Sequence, residues 1–94
     1  MIQTRKGKRM KSFTYVIKDE LGIHARPAGV LSKLAKNFKS EIIIEKDKKT
    51  VNATRLMMLM GMGIKHNDTV TVTINGEDEE KAFCEVQEFF RQNL

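Results

Sequence analysis

Gly22-Ile23-His24-Ala25-Arg26-Pro27-Ala28 is the segment around which this 94-residue chain is arranged. Pro27 has no backbone N–H and a fixed φ, which suits it to the first turn of a helix. Val30, Leu31, Leu34, Ala35 and Phe38 then recur at helical spacing. That spacing predicts a helix from about Ala25 to Asn37, starting beside His24. Gly22 lets the backbone turn just before the histidine. Gly29 lies inside the helix, where glycine costs about 0.5–1 kcal/mol relative to alanine. A close backbone approach would explain it, which the sequence alone does not show.

Outward from this segment, Ser12–Lys18 (SFTYVIK) reads as a strand, with Phe13, Tyr15 and Ile17 on one face. Glu41–Glu45 (EIIIE) and Thr50–Ala53 form a hairpin through the charged turn Lys46-Asp47-Lys48-Lys49. Arg55-Leu56-Met57-Met58-Leu59-Met60 is apolar on nearly every side and is stopped by Gly61 and Gly63. Thr69–Ile74 alternates, with Val70, Val72 and Ile74 toward a core and the threonines toward solvent. After the turn at Asn75-Gly76, Asp78 is the expected N-cap of a last helix running to about Arg91. That helix buries Ala82, Phe83, Val86, Phe89 and Phe90, and Cys84 is expected to pack within it. The order βαββαβα predicts an α+β open-faced sandwich: a four-stranded antiparallel sheet with three helices on one face.

Length and composition allow one domain. Residues 1–9 have no apolar periodicity and read as a flexible basic extension, with the domain proper at 10–94. Met10, directly before the first strand, is the expected natural start or domain boundary. The formal net charge is +5, yet Arg5, Lys6, Lys8 and Arg9 all lie in the extension, and removing them leaves +1. Nucleic acid is therefore not an expected partner of the domain. No apolar run approaches the roughly 18 residues of a membrane span, so no membrane insertion is expected. The lone Cys84 fits a reducing cytoplasm.

The chemistry concentrates at residues 22–28. The N–H groups of Ala25 and Arg26 are free at the helix start, and such an end attracts anions. A nucleophilic imidazole, an anion-binding helix end and a guanidinium stand within three residues, which suggests phosphate on His24. No second histidine or cysteine stands at metal-ligand spacing from His24, so no metal and no cofactor are expected. There is no phosphate-cradling Gly-rich loop with a Lys-Ser or Lys-Thr end. His66, in a polar loop, lacks a comparable context.

Three blocks resemble the HPr family, the histidine-containing phosphocarriers of the bacterial sugar phosphotransferase system. They are Gly22–Ala28; Thr50-Val51-Asn52-Ala53 through Leu56-Met57 to Gly63-Ile64; and Gly76-Glu77-Asp78-Glu79. The resemblance runs from about Met10 to Leu94. It implies that His24 accepts a phosphoryl group at Nδ1 and that Arg26 stabilises it. The backbone of Ala25 and Arg26 would bind phosphate, and Pro27 would set the helix start. The implied donor is phosphorylated enzyme I, and the implied acceptor is a histidine on a sugar-specific enzyme IIA domain. The chain would then be a monomeric carrier, not an independent enzyme. Leu56, Met57 and Met60 would dock partners, rimmed by Arg26, Lys33 and Arg55.

The chain departs from the family pattern at two important positions. Where Gram-positive members carry a serine phosphorylated for catabolite control, this chain has Arg55, so no kinase-driven switch is expected there. Thr54, one residue away, can cap the short helix; as a substitute acceptor it is disfavoured, because kinase register is strict. Leu21 replaces a small polar residue near the histidine, and the turn Asp47-Lys48 lacks the family's common glycine. Two other readings stay open: a regulatory module whose His24 phosphorylation is read by other proteins, and a nucleic-acid adaptor acting through residues 1–11.

Overall fold

Val70, Val72 and Ile74 are fully buried, so the alternation between Thr69 and Ile74 does define a core-facing strand. The structure, a computed structural model, describes residues 10–94; the predicted basic extension, residues 1–9, lies outside the described residues. The elements are β1 (Lys11–Val16), α1 (Ala25–Lys36), β2 (Glu41–Lys46), β3 (Lys49–Asn52), α2 (Leu56–Gly61), β4 (Thr69–Asn75) and α3 (Glu79–Asn93). This is the predicted order. The strands lie in the order β1-β4-β2-β3, and every neighbouring pair is antiparallel. Three helices on one face of the sheet complete an open-faced α+β sandwich.

Register explains how a short sheet builds a core. Phe13 pairs with Val72, Val72 with Ile44, and Ile44 with Val51, giving one apolar row across all four strands. The neighbouring row on the opposite face, Thr14–Thr71–Glu45–Thr50, is polar and stays open to solvent. Leu31 and Ala35 of α1, Leu59 of α2, and Ala82, Val86, Phe89 and Phe90 of α3 close over the apolar rows. Burying the leucine, valine and phenylalanine side chains among them stabilises by roughly 1.5–3 kcal/mol each. Phe90 receives Phe13 and Tyr15 edge-on at 5.6 and 5.5 Å between ring centroids.

Several local expectations change. Val30 is half exposed despite its helical spacing, because Pro27, Ala28, Leu31 and Ala35 already supply the buried stripe of α1. Phe83 is half-buried and meets Phe13 at 5.6 Å. Cys84 is exposed, because it stands two residues from both Ala82 and Val86 and so points away from their face. A Cβ at Gly29 would meet nothing within 4 Å, so no close backbone approach requires that glycine.

Asp78 takes the N-cap position of α3 but makes no side-chain capping bond. Its carboxylate instead accepts the Lys39 and Ser40 N–H groups, each at 2.9 Å, and the Ser40 hydroxyl. The start of α3 is thereby tied to the entrance of β2. The Ser40 hydroxyl and the Lys39 and Ser40 amides hold the Asp78 carboxyl below its ordinary pKa. Gly76 permits this approach, since a Cβ there would stand 2.5 Å from the Ser40 Cα. Thr54 does not cap α2 either. Its N–H and hydroxyl both donate to Asn52 Oδ1, at 2.9 and 2.7 Å, and Arg55 occupies the N-cap position.

Candidate functional site

His24 ends the loop between β1 and α1, at the N-cap position of α1 with extended backbone. Its carbonyl accepts the Ala28 N–H at 3.0 Å, the first bond of the helix. Its side chain makes no capping bond. The first helical N–H groups, those of Ala25 and Arg26, therefore have no intrahelical acceptor. Both residues are exposed and His24 is half-buried, so the positive end of the helix dipole opens to solvent beside the imidazole.

The loop is held at both ends. Gly22 has φ +69°, and a Cβ there would stand 2.3 Å from the Ile64 carbonyl oxygen. Ile23 is buried and donates its N–H to that same carbonyl at 3.1 Å. Pro27 is buried in the first turn of the helix, its third residue. Farther back, the Lys18 and Asp19 N–H groups both donate to the main-chain oxygen of Leu94, just after α3. Two distant parts of the chain thus aim one histidine.

His24, Arg26 and Pro27 border a cleft of about 260 Å³, together with Asp19, Val30, Phe89 and Asn93. Sequence reasoning missed the last four. Phe89 and Asn93 arrive from the opposite end of the chain, where no local pattern marks them. Asp19 also accepts the Leu21 N–H at 2.8 Å, while the Leu21 side chain is exposed. An imidazole, a guanidinium and free N–H groups around an open cleft can receive an oxyanionic group and release it again.

α2 lies against α1. Its one buried residue is Leu59, and Leu56, Met57, Met58 and Met60 are exposed. Gly63, with φ +66°, reverses the chain after the helix. Ser32, buried on α1, donates to the Thr54 carbonyl at 2.9 Å and sets the start of α2 against the histidine's helix. Sequence reasoning missed that serine, which lies in an otherwise amphipathic stretch. Lys46 bridges to Asp68 at 3.1 Å, anchoring the loop that carries Ile64. Backbone N–H donation from Lys65, followed by Lys46, lowers the Asp68 pKa.

Arg55, Leu56, Met57 and Met60 therefore share one exposed surface element, and Lys33 is exposed on α1. His66 is exposed in the loop before β4. Among the described residues no group of three or more His, Cys, Asp or Glu side chains is arranged to hold a metal ion. No helix there is long and apolar enough to cross a membrane.

The family model for the PTS HPr component phosphorylation site matches residues 11–92. The chain belongs to the HPr family of phosphocarrier proteins. It is 41% identical over 85 residues to the phosphocarrier protein HPr of Mycoplasma genitalium, covering 89% of this chain and 97% of that one. It is 42% identical over 74 residues to the Mycoplasma pneumoniae HPr, covering 78% and 84%. A crystal structure of HPr from Thermoanaerobacter tengcongensis superposes with a TM-score of 0.82 at 37% identity, covering 86% of this chain and 91% of that one. The HPr match spans every strand and helix described above, reaching within a residue of the end of α3.

Proposed function

We propose that His24 accepts a phosphoryl group at Nδ1 from phosphorylated enzyme I and passes it to a histidine of a sugar-specific enzyme IIA domain. The observation that carries this reading is His24 at the open N-terminus of α1, beside Arg26 and one cleft. The bond from phosphorus to the donor breaks as the bond to His24 forms, so the carrier needs in-line positioning and charge stabilisation. Arg26 and the Ala25 and Arg26 N–H groups supply that stabilisation. None of them is a metal, and the bound group stays easy to transfer onward.

The chain acts as a cytoplasmic, monomeric carrier in a relay, with no turnover of its own. Leu56, Met57 and Met60 dock the partners, and Arg26, Lys33 and Arg55 favour acidic rims on them. Arg55 offers no hydroxyl to a serine kinase, so that regulatory input is absent. Thr54 is a poor substitute, because its hydroxyl is engaged by Asn52.

Incubation with enzyme I, magnesium and labelled phosphoenolpyruvate should give acid-labile label that disappears in His24→Ala. No labelling, or label retained in that variant, would overturn the proposal. Onward transfer to enzyme IIA domains then separates a carrier from a regulatory module read only by its phosphorylation state.

A further inference from the structure

We infer that Met57 and Met58 form an oxidation site at which a hydroperoxide uncouples this protein from its partners without unfolding it. The inference rests on the docking role proposed for α2. Met57 is 77% exposed and Met58 57%, on a helix whose buried anchor is Leu59. Both thioethers can be reached without any opening of the fold. Met60 is 38% exposed, and Met62 packs against the core. Reactivity should therefore grade along one short segment in the order Met57, Met58, Met60, Met62.

The step balances with hydrogen peroxide as oxidant. The thioether sulfur attacks one peroxide oxygen, the O–O bond breaks, and an S–O bond forms. Sulfur loses two electrons and the peroxide is reduced to water. The sulfoxide is polar, so a surface that docks through apolar contact loses that contact, while the core residues of α2 and the sheet are untouched. Met10, 65% exposed just before β1, and Cys84, exposed on α3, are further oxidisable groups, but neither lies on α2.

The test uses the full chain with Cys84→Ser, treated with graded hydrogen peroxide and mapped by peptide mass spectrometry. Met57 and Met58 should oxidise before Met60, and Met62 last. Circular dichroism and the thermal midpoint should hold. The KM for enzyme I should rise about tenfold, on the scale of losing one buried apolar side chain, with kcat little changed. Methionine sulfoxide reductases acting on both epimers should restore it.

Met57→Leu/Met58→Leu is compared with its own untreated form, and peroxide at a dose that leaves Met60 reduced should shift its KM by less than twofold. Oxidation of Met57 and Met58 without a change in KM would overturn the inference, as would an equal shift in the double Leu variant. If Met62 oxidises as early as Met57, the proposed accessibility is wrong. Failure of the untreated protein to accept phosphate would strike the proposed function instead, and the order of oxidation would still test the site.

Discussion

Two glycines that look alike in the sequence have opposite roles at the residue scale. Gly22 combines a left-handed φ with contact against the Ile64 carbonyl, so a side chain is strained in both conformation and space. Gly22→Ala should destabilise by more than about 1–2 kcal/mol and displace the loop that aims His24. Gly29 has neither constraint. Gly29→Ala should stabilise by about 0.5–1 kcal/mol through ordinary helix preference. Urea unfolding of both variants checks the pair, and equal effects of the same sign would refute this account. Lys48 is a comparable case. With φ values of 52° and 70°, Asp47 and Lys48 form a two-residue hairpin turn of the kind that prefers glycine second.

At the element scale, the junction between α3 and β2 depends on one carboxylate. The Asp78 pKa is lowered in the fold, first by the Ser40 hydroxyl and then by the Lys39 and Ser40 amides. A depressed carboxyl pKa contributes stability that is present above the unfolded value and lost as pH falls through the folded one. The thermal midpoint should therefore drop as pH falls below about 4. Asp78→Asn should lower the midpoint at neutral pH and flatten that acid slope. Circular dichroism melts of both proteins between pH 2 and 7 measure the difference. A variant with the parent's slope would assign the acid sensitivity elsewhere, with Asp68 the next carboxyl to test. The α1–α2 contact is held more simply, by Ser32 donating to the Thr54 carbonyl and by Leu59 in the core.

At the scale of the whole molecule, exposed charge bears on docking. Arg26 and Lys33 are exposed on α1 and Arg55 just before α2, while Glu77 and Glu80 are exposed near the start of α3. On the proposed reading, enzyme I is drawn to the cationic groups, and salt screens that attraction over about 8–10 Å at moderate ionic strength. The KM for enzyme I should rise several-fold between about 0.05 and 0.5 M salt, with kcat nearly constant. Arg55→Ser should lessen that dependence. A KM indifferent to salt would leave the apolar patch as the only basis of docking.

Element order was legible because it rests on local spacing. Alternation marked β4, Pro27 marked the start of α1, and Gly61 with Gly63 marked the end of α2. The chemistry of residues 22–28 was equally local, with histidine, helix start and arginine adjacent in the chain. Side-chain partners were less legible. Asp78 has the composition of a helix cap, yet the approach of Ser40 offers its carboxylate stronger, tertiary hydrogen bonds. Val30 and Cys84 carry apolar character, yet neighbouring residues had already filled the buried stripes of their helices. The sequence by itself thus determined the seven elements and the histidine at the start of the first helix, because periodicity and backbone restriction act within a few residues. Only the tertiary structure decided that Phe89, Asn93 and Ile64 would frame that histidine, because packing joins segments that share no local signal.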